Sequence, residues 1–361
     1  MSIENLRNRI DRIDALLVRL LNHRVKAAQE IGKLKQANGS AVYAPSREAA
    51  IYRRLFDLNA GPLPNEAIRS IYTEIISACR ASEKNLRIAF LGPEGTFSHQ
   101  ATRQQFGSNF ESVPVRAIEQ VFAEVEASRA DYGVVPVENS VEGGIGETLN
   151  GLMESDLKIC AEILVRIHHN LMALPPLVAV ERIYSKAEAL AQCKSYLSTN
   201  YPDAVLVETS STAEAARLAA KEKHAAAIAH LEMAHRFGME VLHRAIEDSP
   251  FNMTRFLVLS RDLAPASGQD KTSILCFVRD EIGALLNILT PLKDLGVNLT
   301  KIESWPSRRK PWDYCFFIDF LGHYEEPAVS KALERVAGRC KEMKLLGSYP
   351  AAPAEQSGAA G

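Results

Sequence analysis

The chain lacks any apolar run near the roughly 18 to 20 residues that cross a bilayer, so no membrane-spanning helix is expected. Residues 1–10 mix charges into the apolar positions and carry no continuous signal-peptide core, which points to the cytoplasm. Net charge is almost absent: at −2 there is no global field to draw nucleic acid or a membrane surface. Cysteine occurs six times, but without a CxxC pair or an accompanying histidine spacing. Neither a disulfide framework nor a zinc site is expected, and the thiols are read as reduced. With 47% hydrophobic and 24% charged residues, wholesale disorder is excluded too.

What is present is chain enough for two or three domains, since 361 residues exceed the size at which one core keeps growing. The near-zero total conceals +5 over residues 1–85, −7 over 86–262 and zero over 263–361. In the first stretch Ile3, Leu6, Ile10, Ile13, Leu17, Leu20, Ala27, Ile31 and Leu34 advance in steps of three and four. The pattern predicts one helix of about 34 residues, about 50 Å long. Such a helix must bury its stripe against another long helix, most simply one from a second copy. Two shorter helices follow around 46–59 and 64–83, separated by Gly61-Pro62-Leu63-Pro64. This module, residues 1–85, is read as all-helical and dimeric.

From Leu86 the pattern changes to short apolar strands: LRIAFLG, DYGVVPVEN, KICAEILVRI, HHNLMAL, AVLVET, AAAIAH and TRFLVLS. Helical stretches at 118–129, 145–153, 187–198 and 212–221 alternate with them, an α/β arrangement over 86–264. A Pro/Gly/Ser linker over 264–270 precedes KTSILCFVR, a helix at 282–295, VNLTKIES, YCFFIDFLG and a helix at 326–342. That β-α-β-β-α order predicts a small ferredoxin-like α+β module over 271–347, with 348–361 as a disordered tail.

In the helical module, Arg24 takes a place where the stripe wants an apolar side chain. A buried Arg is costly without an anion, so a carboxylate of the dimer seam or an anionic ligand should meet it. Lys35 lies about three turns on, hence on the same face and about 16 Å along the axis. Arg47 and Glu48 open the second helix, and Arg7 lies about 25 Å from Arg24, within reach only of a partner chain's site. Arg7, Arg24, Lys35 in GKLK, and Arg47-Glu48 in SREAA resemble the all-helical chorismate mutase module, over about residues 2–84. The resemblance implies an intertwined dimer whose cations grip the carboxylates and ether oxygen of chorismate, the first Arg coming from the other protomer. The reaction is pericyclic, so catalysis is a matter of holding the reactive conformer and stabilising charge on the breaking ether. Glu83 falls where the family places Gln or Glu near that oxygen; as a donor it must be protonated, which implies faster turnover at lower pH. Ala44 replaces an acidic residue that some relatives carry.

In the middle module GPEGTFS (92–98), VENSVEGG (137–144) and TRF (254–256) each follow or open a strand and are weak signals singly. Together with Tyr184-Ser185, Gln192-Cys193 and NMTRFLVL, in this order, they resemble prephenate dehydratase over 86–262. The resemblance implies a two-lobed, periplasmic-binding-protein-like fold with its site in the cleft, and conversion of prephenate to phenylpyruvate, carbon dioxide and water. It implies Thr254 as the principal catalytic residue, with Glu138, Asn139, Ser185 and Gln192 as further polar site residues. It also implies Arg255 as a partner for a substrate carboxylate, and Thr96 and Ser98 as cleft lining. Lys186-Ala187 replaces the family's His-Pro, so no role for that His carries over. His168 and His169 read as strand-end structure.

GALLNIL (283–289) and NLTKIES (298–304) resemble the ACT domain. The resemblance implies that Gly283, Ala284, Leu285, Asn298, Leu299, Glu303 and Ser304 hold phenylalanine between paired domains for feedback control. Trp305 stands where the family writes Arg, which leaves the strength or choice of effector open. No metal and no organic cofactor is implied, because neither reaction transfers hydride, electrons or a group. The expected partners are chorismate, prephenate and phenylalanine, in a homodimer or higher even oligomer. Two alternatives stand beside this reading: a dehydratase with a non-catalytic helical arm, and a ligand-responsive transcriptional regulator. The single very long helix speaks against the regulator.

Overall fold

The computed structural model describes residues 2–38, 41–176, 179–279, 281–310 and 313–352. They form two compact units, one of residues up to 87 with 103–111, the other of 88–102 with 112 onward.

The first unit is built on α1 (Ile3–Ala37), α2 (Pro45–Leu58) and α3 (Asn65–Glu83). Ser2 caps α1 by accepting from the Asn5 amide at 3.3 Å, and Pro45 stands in the first turn of α2, where its missing N–H is harmless. Gly32 is buried where α1 meets α3: a Cβ there would lie 2.8 Å from Glu83 Cγ, so the close crossing needs glycine. The apolar stripe of α1 stays uncovered within the chain, with Ile10 56%, Leu17 49% and Leu20 55% exposed.

The chain then runs, apart from Arg87 and residues 103–111, within the second unit: β1 (Arg87–Leu91), α4 (Phe97–Phe106), β2 (Glu111–Val115), α5 (Ile118–Glu126), β3 (Tyr132–Asn139), β4 (Gly143–Gly144), α6 (Gly146–Glu154) and β5 (Lys158–Arg166). A second lobe follows: β6 (Asn170–Ala173), β7 (Arg182–Ser185), α7 (Ala187–Gln192), α8 (Lys194–Asn200), β8 (Val205–Glu208), α9 (Thr212–Ala219), β9 (Ala225–Ala229), α10 (Glu232–Phe237) and β10 (Glu240–His243). The chain then returns to the first lobe as β11 (Met253–Ser260). The first sheet runs β2-β1-β3-β11-β5 with β4 on β3, and the second β10-β6-β9-β7-β8. β11 is antiparallel to β3, with Thr254 opposite Asn139 and Arg255 opposite Glu138. The helix expected at 187–198 is two helices that meet at Cys193. β2, β7 and β10 escaped the sequence reading because each is a short strand of four or five residues with weak alternation.

The last part is β12 (Asp270–Phe277), α11 (Ala284–Asp294), β13 (Leu299–Pro306), β14 (Tyr314–Leu321), α12 (Pro327–Ala337) and β15 (Glu342–Pro350), an antiparallel sheet of order β13-β14-β12-β15. One face of it packs on the two helices through Ile274, Ile288, Leu292, Phe320 and Val336. The other shares a single core with the first lobe: Leu275, Phe277, Phe317, Leu346 and Tyr349 pack with Val135, Val137, Leu149, Ile159 and Leu257. A Cβ on Gly347 would overlap the Ile159 backbone, so glycine is what lets the sheets approach. Two expectations are corrected. The helix at 326–342 stops at Ala337 and a further strand follows, and Ser348 to Pro350 belong to that strand, with Tyr349 fully buried, rather than to a tail. Residues 353–361 of the expected tail lie outside the described residues. No described helix is long and apolar enough to cross a membrane.

Candidate active sites and effector pocket

In the helical unit three elements converge on one polar cluster. Arg24 of α1 donates to Cys79 Sγ of α3 at 2.8 Å. Lys35, a little beyond the Gly32 crossing, donates to the Val42 carbonyl at 2.8 Å and stands 3.9 Å from Glu83 Oε2. Glu48 is buried and accepts from Arg80 Nη1 at 2.9 Å. Burial raises the Glu48 carboxyl above its ordinary value, against the opposing pull of Arg80, Lys35 and Arg24. Glu83 is raised for the same reason, opposed by Lys35 and Arg80, and its Oε2 is buried without a hydrogen-bond partner among the described residues. Arg24, Lys35, Glu48 and Glu83 are thus brought together, while Arg7 and Arg47 are exposed on the chain's surface. Arg80 was missed by the sequence reading. Its guanidinium is buried against the Tyr43–Phe106 ring pair, 5.3 and 5.2 Å from the two centroids, and also donates to the Phe106 carbonyl. Nothing local in ISACRAS marks it, because its partners come from α2 and from a segment some thirty residues away in either direction.

In the second unit the paired strands β3 and β11 present opposite faces at successive residues. On one face Asn139 Nδ2 donates to Thr254 Oγ1 and to Asn252 Oδ1, both at 2.9 Å. Asn252 Nδ2 in turn donates to Gln192 Oε1 at 2.6 Å, and Gln192 Nε2 donates to Glu142 Oε1 at 2.6 Å. This chain crosses between the lobes, since Gln192 closes α7 in the second lobe. Gln192 Oε1 also accepts from His169 Nε2 at 2.8 Å, which places the imidazole proton on Nε2 and leaves Nδ1 buried without a partner among the described residues. Burial holds His169 below its ordinary value, against the Gln192 hydrogen bond, so it sits there as the neutral ring. The Phe97 ring stands edge-on to His169 and to His230, at 5.8 and 5.9 Å. His169, Asn252 and Glu142 therefore join the site. A polar residue at a strand end carries no periodic signal of its own, which is why the sequence reading left His169 as structure.

Other expected residues are placed elsewhere. Ser185 is fully buried and donates to the Ile228 carbonyl at 2.8 Å, and Thr96 donates to the Leu91 carbonyl at 3.1 Å, shaping the turn before α4. Ser98 is buried on α4. Cys193 is buried and its thiol is pushed up by desolvation, so it is no nucleophile. Glu138 and Arg255 lie on the other face of the same strand pair. Arg255 donates from Nη1 to Glu138 at 3.0 Å and Asp319 at 2.6 Å, from Nε to Glu162 at 2.7 Å, and from Nη2 to the Tyr349 hydroxyl at 2.8 Å. Those four bonds occupy four of its five N–H donors, and the side chain lies on the strand face opposite Thr254, engaged with these partners rather than with the cleft network.

A cavity of about 530 Å³ opens at the start of α11 and is lined by Gly283, Ala284, Leu285 and Ser304 together with Arg279, Glu281 and Asp313. Gly283 takes φ +80° there, a turn that favours glycine. Asn298, Leu299 and Glu303 do not line it.

A two-lobed fold with a polar cross-lobe network, a helical unit with a cluster of cations and carboxylates, and a ferredoxin-like sheet together define a multidomain enzyme. Residues 6–84 match the family of type II chorismate mutases, 88–264 that of prephenate dehydratases, and 272–338 the ACT domain. The chain is 46% identical to the bifunctional chorismate mutase/prephenate dehydratase of Aquifex aeolicus, over 97% of this chain and 98% of that one. It is 42% identical to the protein of the same name from Pseudomonas aeruginosa, again over 97% and 98%. Among solved structures, prephenate dehydratase from Arthrobacter aurescens in complex with L-Phe superposes with a TM-score of 0.68 at 35% identity, covering 74% of this chain and 90% of that one. The chain belongs to the bifunctional chorismate mutase/prephenate dehydratase family and carries an ACT regulatory domain.

Proposed function

We propose that the helical unit rearranges chorismate to prephenate and that the two-lobed domain converts prephenate to phenylpyruvate, under feedback by phenylalanine at the Gly283–Ser304 cavity. In the first step Arg24 and Lys35 receive carboxylate and ether oxygen, and a protonated Glu83 donates to that oxygen. Its raised pKa and unpartnered Oε2 support the role. The open stripe of α1 supports a homodimer, in which Arg7 of a second protomer completes the cluster. Arg47 completes the set on the same reading.

The observation that carries the second step is the Asn139–Thr254 hydrogen bond. Because Asn139 donates to Thr254 Oγ1, the threonine proton points elsewhere, and in the cleft it meets the ring hydroxyl that must leave. The hydroxyl departs as water with that proton, the ring carboxylate departs as carbon dioxide, and its bonding electrons complete the aromatic ring. Solvent reprotonates Thr254. With Arg255 engaged elsewhere, the substrate's charge is met by neutral donors of the cleft, foremost the Gln192 Nε2 hydrogen that Glu142 does not take. Glu138 acts through its neighbour Asn139, and Ser185, Thr96 and Ser98 shape the cleft walls. Arg279 beside Glu281 and Asp313 offers both charges that an amino-acid zwitterion needs. The six free cysteines fit a cytoplasmic enzyme. A product-resolved chorismate time course, with and without phenylalanine, tests the reading. Phenylpyruvate without additives, slowed by phenylalanine, is expected; prephenate as the sole product overturns the dehydratase half.

A further inference from the structure

The strand β13 has two faces with different duties. Ser304, on the outward face, lines the effector cavity. Lys301, Glu303 and Trp305 alternate with it and all point to the dehydratase domain. Lys301 Nζ is hydrogen-bonded to Glu138 Oε2 and lies 3.1 Å from Glu303 Oε2. The Glu303 carboxylate lies against Gly144 so closely that a Cβ there would overlap it. The Trp305 ring covers Gly146, where a Cβ would lie 2.8 Å away, and its Nε1 donates to Asn150 at 2.9 Å. The segment 138–146 that these three residues brace is the one that carries Asn139, bonded to Thr254, and Glu142, bonded across the cleft to Gln192. Its glycines give it no side-chain bulk of its own at the points of contact.

We infer that Lys301, a residue of the regulatory domain, is a positioning residue for the dehydration: through Glu138 it sets Asn139 against Thr254, and β13 carries effector occupancy to that contact. This rests on the dehydratase reading above. Lys301 and Arg255 hold Glu138 below the ordinary carboxylate range despite its burial, so the lysine grips an ionised group. Cavity and segment are separated by the thickness of one strand, and no intermediate element has to relay a movement.

The test is Lys301→Met in the full chain, with kcat and KM for prephenate, the response to phenylalanine, and the mutase rate on chorismate measured in one preparation. The expected result is a kcat for dehydration lowered about tenfold with KM little changed, as a misplaced reacting group produces. Loss of the phenylalanine response and an unaltered mutase rate are expected with it. Lys301→Arg, which keeps the charge, should return kcat to within about threefold of wild type. Should K301M fail to give the wild-type mutase rate, Lys301→Gln, of similar length but uncharged, is read in its place. A wild-type kcat and phenylalanine response in the uncharged variant overturn the inference alone, as does a loss that arginine does not rescue. A wild-type chain without dehydratase activity overturns the functional reading and this inference with it.

Discussion

Glu83 in the helical unit and Glu138 in the α/β unit each face a lysine, yet their carboxyls shift in opposite directions. Lys35 stands 3.9 Å from Glu83 without a hydrogen bond, and burial wins. Lys301 is hydrogen-bonded to Glu138 and Arg255 adds a second contact at 3.0 Å, so the ionised form wins over burial. A charge nearby is therefore not enough; direct hydrogen bonds decide which state a half-buried carboxylate holds. The difference also sorts the two by protonation: burial favours the protonated form of Glu83, as the proposed donor role requires, and Glu138 is held as an ion that ties two sheets together. It bears on the −7 of residues 86–262 as well. Glu138 and Glu162 belong to that surplus, and the regulatory sheet meets them with Lys301 and Lys271, the latter at 2.8 Å from Glu162.

The comparison can be broken at several points. The largest effect is expected from Thr254→Ala, which should lower dehydration by about a thousandfold, within the range of a lost proton donor, and leave mutase turnover intact. Loss of both activities in steady-state assays would mean that the two sites are not separate. Next comes Arg255→Met. It takes from Asp319 its cation in the shared core and leaves Glu138 and Glu162 with one lysine each, and removing one partner of a buried ion pair costs about 3 to 5 kcal/mol. Thermal or urea unfolding should show that loss, whereas the same treatment of Glu83→Gln should show little change.

The smallest effect is the pH dependence, and here the signs oppose. The Glu83 pKa is raised, so the protonated fraction grows as pH falls toward it, and the mutase rate should climb by no more than about tenfold per pH unit. Glu83→Gln should flatten that profile; an unchanged slope would remove Glu83 from the chemistry. The Glu138 pKa is depressed. Its contribution to stability is present above the unfolded-state value and is lost as pH falls through the folded one, so acid should loosen the sheet-to-sheet contact rather than speed dehydration.

Much of this was legible in the chain. The steps of three and four from Ile3 to Leu34 specified one very long helix, and α1 runs to 35 residues. What the stripe could not show is which of its polar neighbours would be gathered: Arg80, anchored by Glu48 and the Phe106 carbonyl, has partners that only folding brings near. Likewise the Pro/Gly/Ser segment at 264–270 reads as a tether. In the structure it joins two sheets that share a core, with the Ala264 carbonyl accepting from His323 at 3.1 Å and Asp270 turned back on Ser267 and Gly268. Composition reports flexibility of a segment, not what its ends are packed against.

The sequence by itself determined the three modules, the family, and the strands on which Asn139 and Thr254 sit. It also determined that Thr254 and Arg255 must face opposite ways, because successive residues of a strand always do. Only the tertiary structure decided which of those ways is the cleft. That depends on what meets each side of β11, the Asn252–Gln192 link to the second lobe beside Thr254 and the regulatory sheet beside Arg255, and no local pattern in TRF records it.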